Sequence, residues 1–201
     1  MKKRFNKVYQ FRIDLLGIRP PIWRRIQIPE TYTFWGLHLA IQDSMGWGNC
    51  HLHEFIVNDP ITGLELSIGI KSEDDTDDFF TDDVIPEQKC KISKIFSEEN
   101  PEAYYIYDFG DYWKHLIVLE KILPKEKDTD YPRCIAGRRA CPPEDCGGVW
   151  MYSEMLKVIK KPIHPRREEI LQYLGTGFDP EHFDPKEVVF CDPDFVKNIL
   201  I

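Results

Sequence analysis

The feature that most constrains the fold is an alternation of apolar and polar residues on both sides of a Gly-Asp turn. Residues 104–109 alternate with aromatic side chains, Gly110 and Asp111 form the turn, and residues 112–122 run back. On the return segment one face carries Trp113, His115, Ile117 and Leu119. A period of two residues on both sides of a tight turn is typical of a β-hairpin with one buried face. The chain is therefore predicted to contain an antiparallel sheet.

The first part of the chain predicts a second group of elements. Residues 8–16 and 22–28 have the pattern of strands, a helix is predicted from the N-cap Thr33 to the stop at Gly46, and residues 51–57 are predicted to be a third strand. The order strand, strand, helix, strand fits an α+β fold with a mixed or antiparallel sheet and a β-grasp-like N-terminal core, to which the second hairpin and short C-terminal helices are added.

The second half of the chain is predicted to be irregular at first and then helical. Residues 131–148 hold three cysteines, three prolines and three glycines, which is typical of a fixed loop. One helix is predicted from the N-cap Ser153 to Lys161 and another over residues 166–174, within a helical part at about residues 153–201. All 201 residues are expected to form a single domain, with an acidic insertion at about residues 71–88.

Charge and hydropathy argue against several classes of protein. The chain has a net charge of −8, unlike the basic footprint usual in DNA-binding proteins. Its apolar stretches are far shorter than the roughly 20 residues that span a bilayer, so no membrane association is expected. The basic start at residues 1–4 has no apolar run behind it, so no secretory signal is predicted and a cytoplasmic location is expected. The six cysteines are therefore expected as thiols or metal ligands rather than disulfides.

Four segments form a combined pattern that is specific to one known family. They are Ile22-Trp23-Arg24-Arg25 with Leu37-His38-Leu39-Ala40-Ile41-Gln42 and Met45-Gly46-Trp47; His51-Leu52-His53-Glu54-Phe55; Tyr107-Asp108-Phe109-Gly110-Asp111 with Trp113, His115 and Glu120; and Cys134 and Gly137 with residues 139–148. In these segments, within roughly residues 8–160, the chain resembles the plasmid pRiA4b ORF-3-like protein family, also described as passenger proteins of an insertion element. The resemblance implies a compact α+β fold and an intracellular prokaryotic protein. It implies no established reaction, so no catalytic residue is carried over from it.

The first candidate site is a zinc site. His51 and His53 lie two residues apart on the third predicted strand, so both imidazoles face the same side, and Cys134, Cys141 and Cys146 are expected to converge from the proline-rich loop. Thiolate and imidazole ligands suit Zn²⁺, although cysteine spacings of six and four intervening residues differ from the compact zinc knuckle. The alternative interpretation is that the histidines are hydrogen-bonded packing residues and the thiols are small buried apolar groups.

The second candidate site is an acid–base cleft. Glu54, Asp108, Asp111 and His115 lie on elements that are expected to be neighbours in one sheet. A histidine near carboxylates can act in general acid–base catalysis or in metal-dependent hydrolysis. The alternative is a structural role, because aspartates at a hairpin turn accept backbone N–H groups and because Arg24, on the apolar face of the second strand, is expected to need a carboxylate partner.

These patterns predict a binding or accessory module rather than a defined catalyst. The basic pair Arg138-Arg139 and the five tryptophans also fit a surface for a protein or nucleic-acid partner. The resemblance links the chain to mobile-element biology through genomic context, and zinc is the cofactor that the His and Cys pattern fits. The alternative function is a metal-dependent hydrolase that uses the same His, Asp and Cys residues. The two interpretations differ in whether the chain is an enzyme.

Overall fold

The described part of the chain is built around one eight-stranded sheet. A computed structural model describes residues 4–70, 84–175 and 177–197, so residues 71–83 of the predicted acidic insertion lie outside it. The strands are β1 (Lys7–Leu15), β2 (Ile22–Pro29), β3 (His53–Asn58), β4 (Glu65–Gly69), β5 (Ile85–Pro86), β6 (Glu102–Tyr107), β7 (Trp113–Pro124) and β8 (Arg133–Arg138). The helices are α1 (Phe34–Met45), α2 (Ile92–Ile95), α3 (Gly148–Ile159), α4 (Arg167–Leu174) and α5 (Pro193–Lys197), with a 3₁₀ turn at Pro185–Glu187.

The strand order is β5-β4-β3-β6-β7-β1-β2-β8. Neighbouring strands are antiparallel except β4 and β5, which are parallel. The α+β class and the mixed sheet are therefore confirmed. The β-grasp-like detail is different, because β3 pairs with β4 and β6 and is separated from β1 by β6 and β7. The reason is that β7 pairs with β1 along the whole length of β1, so β3 cannot pair with that edge of β1.

Helix α1 packs on one face of this sheet and begins and ends where the sequence predicts. The Thr33 side chain accepts a hydrogen bond from the Gly36 N–H at 3.4 Å, and the helix ends at Gly46, whose φ of 83° suits a residue without a Cβ. Phe34, Leu37 and Ile41 are buried in the core. Within the described ranges no helix is long and apolar enough to cross a bilayer.

The segment at residues 131–148 is more ordered than predicted. Residues 133–138 form β8, which pairs with β2 at the end of the sheet. The following helix begins at Gly148 instead of Ser153. Gly148 has φ 71°, and a Cβ at this position would lie only 2.6 Å from the Asp111 carbonyl oxygen. Because glycine has no Cβ, the chain can approach Asp111 this closely and the helix can begin earlier. Helix α4 occupies 167–174, as predicted.

Arg24 is buried on the covered face of β2, but its partners are carbonyl groups instead of the predicted carboxylate. Its Nε donates to the Ser44 carbonyl at 2.7 Å, and its Nη1 donates to the carbonyls of Trp23 at 2.9 Å and Arg138 at 3.1 Å. The guanidinium also lies 3.8 Å from the ring centroid of Phe183. Burial lowers the Arg24 pKa. Carbonyl dipoles and the negative face of an aromatic ring thus replace the expected ion pair.

His115 lies in the core, on the covered face of β7. The ring is 0% exposed, its Nδ1 lies 3.3 Å from the Tyr105 carbonyl oxygen, and its edge meets the Trp47 ring at a centroid distance of 5.4 Å. Among the residues described, its Nε2 has no hydrogen-bond partner. Burial lowers the His115 pKa to about 4, so the imidazole is neutral in the folded protein at pH 7.

We expect Gly137→Ala to destabilise the fold through Phe183. A Cβ at position 137 would lie 2.2 Å from a Phe183 ring carbon, so the ring must leave its place above Arg24. The expected loss in the free energy of unfolding is about 1–3 kcal/mol, the usual range for overpacking, measured by urea denaturation. In a Phe183→Ala background the same substitution should cost little or stabilise the strand. Additive effects of the two substitutions would contradict this arrangement.

We expect acidification from pH 7 to pH 5 to weaken the fold, in part through His115. Its folded pKa of about 4 is lower than the ordinary 6.5, so the unfolded chain takes up the proton first and the free energy of unfolding falls as the pH drops below 6.5. His115→Phe removes the imidazole that takes up this proton, so the decrease in the free energy of unfolding between pH 7 and pH 5 should be smaller by about 2 kcal/mol. Urea denaturation at both pH values measures it, with His164→Gln in a partly exposed position as the control. An unchanged pH dependence in His115→Phe would refute the assignment.

Candidate functional site

The candidate site lies where the start of β3 meets the end of β6. His53, the first residue of β3, pairs with Tyr107, the last residue of β6. The residues just outside these strands, His51 and Asp108, therefore lie at the same edge of the sheet. The Asp108 N–H donates to the Leu52 carbonyl at 2.9 Å, which fixes the two chain segments to each other. Strand pairing thus brings together two side chains that are far apart in the sequence.

Asp108 is held in one orientation by the hairpin turn that follows it. Its backbone has φ 57°, a left-handed conformation that Asp tolerates better than most residues. Its Oδ1 accepts from the N–H groups of Gly110 at 2.9 Å and Asp111 at 3.3 Å. The other oxygen, Oδ2, lies 3.8 Å from His51 Nε2. The turn role predicted for Asp108 is therefore present, and it leaves one carboxylate oxygen directed at the imidazole.

Asp145 supplies a second carboxylate to the same imidazole. Its Oδ1 lies 3.3 Å from His51 Nε2, and its backbone also has a positive φ of 58°. The loop that carries it is held from both sides, because the Gly147 N–H donates to Asp111 Oδ2 at 3.0 Å and the Tyr173 hydroxyl donates to the Asp145 carbonyl at 3.0 Å. The β8–α3 loop thus reaches His51 through a carboxylate, whereas the prediction had the loop thiols converging on the histidines.

Glu144 supports the site without taking part in the His51 group. One of its oxygens accepts from the Gly48 N–H at 3.0 Å, and the other accepts a short hydrogen bond from the Tyr107 hydroxyl. The same hydroxyl accepts from the Cys50 N–H at 3.0 Å. Glu144 therefore connects the β8–α3 loop to the segment before His51, so that both walls of the site are tied together.

His51, Asp108 and Asp145 form the one group of three or more metal-type ligands found among the described residues. Their ligand atoms all lie within 4.8 Å of one another. The Nε2 of His51 is buried and has no hydrogen bond from the described chain, although it faces both carboxylates. Side-chain exposure is 26% for His51, 10% for Asp108 and 76% for Asp145, so the group is open to solvent on the Asp145 side.

The other predicted zinc ligands lie in different surroundings. No three of His51, His53, Cys134, Cys141 and Cys146 come within 4.8 Å of one another in the ranges that the structure describes. Cys141 Sγ packs 3.6 Å from Met45 Sδ at the end of α1, and Cys134 lies on β8 with its Sγ 3.5 Å from the Ala136 carbonyl oxygen. Burial raises the pKa of Cys141 and Cys146 to about 12, which favours the thiol form. Cys146 is buried, whereas Cys134 and Cys141 are half-buried.

His53 belongs to a buried network next to the site. Its ring stacks on His38 at a centroid distance of 3.5 Å, and its Nε2 lies 2.7 Å from Glu87 Oε2. Burial lowers the pKa of both histidines to about 3 and raises that of Glu87 to about 7. Two neutral imidazoles can stack where two charged ones would repel. His53 is therefore a packing residue that is hydrogen-bonded to a buried carboxyl group.

His38 closes a ring of hydrogen bonds that holds the segment before His51. Its Nε2 donates to Asn49 Oδ1 at 2.7 Å, and its Nδ1 accepts from the Tyr105 hydroxyl at 2.8 Å. That hydroxyl accepts from Gln42 Nε2 at 2.9 Å, and the Asn49 N–H donates to Gln42 Oε1 at 3.1 Å. Each donor and acceptor used in the ring is paired, so a single neutral tautomer of His38 is fixed.

The predicted catalytic residues are also separated. Asp108 lies in the site, Asp111 is next to it with one oxygen bound to the Gly147 N–H, and His115 is in the core. Glu54 accepts a short hydrogen bond from Ser67 on the sheet. The sequence does not predict Asp145 as a site residue, although the Pro-Pro-Glu-Asp-Cys segment that contains it ends in the predicted zinc ligand Cys146.

Three comparisons identify the relatives of the chain. The family model described as "Plasmid pRiA4b ORF-3-like protein" matches residues 7–187. The uncharacterized protein y4hQ of Sinorhizobium fredii is 31% identical over 171 residues, which is 85% of this chain and 82% of that protein. The crystal structure of MM3350 from Methanosarcina mazei Go1, a protein of unknown function, has a TM-score of 0.87 and 49% identity and covers 93% of this chain and 100% of that one. The chain therefore belongs to the plasmid pRiA4b ORF-3-like protein family.

Proposed function

We propose that the protein is an accessory module that binds one divalent metal ion through His51, Asp108 and Asp145. The observation that carries the proposal is the Nε2 atom of His51. It is buried and has no hydrogen bond from the described chain, yet it lies 3.3 Å and 3.8 Å from two carboxylate oxygens of different loops. A buried polar atom without a partner usually indicates a missing group, and here two anionic oxygens face the same space.

The spacing of the three atoms suits direct coordination. A tetrahedral ion with ligand bonds of about 2.0–2.2 Å holds its ligands roughly 3.3–3.6 Å apart. The shorter of the two distances lies in this range, and the longer one needs a small movement of a side chain. One imidazole and two carboxylates form a mixed set that suits Zn²⁺ or Mn²⁺ better than soft, thiolate-preferring ions. Two negative charges would also balance a divalent cation.

The ligands are preorganised by the groups behind them. Two backbone N–H groups fix the Asp108 carboxylate, and the loop of Asp145 is anchored through Tyr173 and Gly147. Such supporting hydrogen bonds orient metal ligands and reduce the entropy lost when an ion binds.

The exposure of Asp145 supports a role in binding a partner. With 76% of this side chain in solvent, an ion at the site keeps coordination positions for water or for a donor group from another molecule. A metal held at one open edge of a rigid sheet can thus bridge two molecules. The link to mobile-element biology that the family description suggests belongs to this proposal, as the setting in which such a module would work.

Metal binding is the direct test. We expect protein purified without a histidine tag and stripped with a chelator to bind one Zn²⁺ or Mn²⁺ in isothermal titration calorimetry. Asp108→Asn and Asp145→Asn each remove an anionic ligand with little change in shape, so each should weaken binding by at least about tenfold. Bound metal should also raise the midpoint of thermal unfolding, because the ion binds only the folded chain.

Two control variants make this test specific. Asp128→Asn changes another aspartate with a positive φ, in an exposed loop outside the site, and should leave metal affinity unchanged. Cys141→Ser should also keep the metal, which separates this site from the zinc site predicted around the cysteines. Failure of the wild-type protein to bind either ion, or equal binding by Asp108→Asn and Asp145→Asn, would refute the proposal.

A second candidate function is metal-dependent hydrolysis. The observation in its favour is that three protein ligands leave a position where a metal can activate water. For a binding module we expect the metal-loaded protein to cleave bis(4-nitrophenyl) phosphate and 4-nitrophenyl acetate no faster than the same metal with the Asp108→Asn variant. Faster hydrolysis that is lost in Asp108→Asn would show that the protein is an enzyme instead of a binding module.

A further inference from the structure

A second concave surface lies at the start of α1. It is a cleft of about 760 Å³ between the segment after β2, the loop before β8 and the C-terminal segment that includes residues 188–194. The C-terminal segment is fastened there by two hydrogen bonds. The Trp35 Nε1 donates to the Pro193 carbonyl at 3.3 Å, and the Cys191 N–H donates to Asp43 Oδ2 at 2.9 Å. The cleft shares no residue with the proposed metal site.

Aromatic rings make up much of its wall. They are Phe5, Tyr32, Trp35, Tyr131 and Phe190. Two of them already bind cations of the same chain, since Lys125 Nζ lies 4.5 Å from the Phe5 centroid and the Arg133 guanidinium lies 5.1 Å from the Tyr131 centroid. Cations of the chain itself therefore already contact the aromatic faces of two of these rings.

The charged residues that line the cleft are all acidic. Asp130, Asp192 and Asp194 line it, and no lysine or arginine is among the lining residues that the structure describes. The pKa of Tyr32 is raised by burial and by the nearby Asp192, so negative charge is concentrated beside this ring. Lys125 and Arg133 contact two of the rings but are not lining residues, and Arg133 is paired with Glu126 at 2.9 Å. The carboxylates of the lining therefore favour a cationic ligand over an anionic one.

We infer that this cleft binds a basic peptide segment of a partner protein, with an arginine or lysine side chain inserted between the aromatic rings and the carboxylates. Charge complementarity selects the cation. The volume of about 760 Å³ leaves room for the residues on either side of one guanidinium or ammonium group, as a peptide requires. Val189 extends the surface beyond the rings with 82% of its side chain exposed, which provides an apolar contact for the residues next to the inserted one.

The wall composition also favours an extended peptide. Pro29, Pro132 and Pro193 stand among the aromatic residues and present rigid apolar surface without a backbone N–H. Aromatic-lined grooves are a known way to bind extended, proline-rich segments. A segment of this type loses little conformational entropy on binding, because it is already extended in solution.

NMR titration of the full chain tests the inference. The probe is the peptide acetyl-Ala-Pro-Arg-Pro-Ala-amide, and the reporter is the Trp35 indole N–H, assigned with the Trp35→Phe variant. We expect this signal and the backbone amides of Val189 and Phe190 to shift, while the amides of His51 and Asp145 do not. The same peptide with citrulline in place of arginine keeps the shape without the charge and should bind at least tenfold more weakly.

Variants of the lining aspartates distinguish specific binding in the cleft from a nonspecific effect of charge. The double variant Asp130→Asn, Asp192→Asn should weaken the arginine peptide at least tenfold and leave the citrulline peptide unaffected. Asp179→Asn is the matched control, because Asp179 accepts from the backbone N–H two residues ahead just as Asp192 does, outside the cleft. No shift at Trp35 with millimolar arginine peptide, or equal binding of the citrulline peptide, overturns the inference. Binding of spermidine without binding of the peptide overturns the assignment to a protein segment.

Discussion

The buried guanidinium of Arg24 is the constraint on which the arrangement of the other elements depends. A charge in the core is tolerated only if its hydrogen-bonding groups are satisfied, and here the acceptors are Ser44 near the end of α1, Trp23 on β2 and Arg138 at the end of β8. Phe183 from the C-terminal part covers the remaining face. Four segments must therefore be in place together. Both proposed sites depend on these segments, since the loop that carries Asp145 begins directly after β8 and the cleft is closed by the chain that follows Phe183.

Buried polar groups also explain why the segment before His51 has a defined conformation. The ring of hydrogen bonds through His38, Asn49, Gln42 and Tyr105 uses each group once. In a low-dielectric interior a broken member leaves the others without partners, so the network favours a single arrangement. Asn49 lies two residues before His51 and has a positive φ of 56°. The network thus holds the backbone in a conformation that is unusual for a residue other than glycine and places the imidazole at the edge of the sheet.

The elements that the sequence predicts are those whose signals lie within a few residues. Thr33 and Gly46 mark the ends of α1 by side-chain capping and a left-handed backbone, and the β6–β7 hairpin shows its alternation locally. Strand β8 was missed because Arg133–Arg138 has no clear alternation and becomes a strand only by pairing with β2, more than 100 residues earlier in the sequence. Only part of the candidate site can be predicted from the sequence, for the same reason. Asp108 is indicated by its turn, whereas Asp145 reaches His51 through contacts with Asp111 and Tyr173 that no local pattern reveals.

The carboxylates near the ends of β3 and β6 are of two kinds: some have a structural role, and others are placed to contact a ligand. Glu144 and Asp111 accept hydrogen bonds from backbone N–H groups, which spread their charge. Asp145 remains mostly in solvent, and Asp108 directs one oxygen at a histidine atom that makes no hydrogen bond within the described chain. The ligand oxygens of Asp108 and Asp145 lie within 4.8 Å of each other, so a cation at the proposed site would offset the repulsion between them. The hydrogen bonds to Asp108 and within the loop of Asp145 keep the two carboxylates close to each other, as the proposed metal site requires.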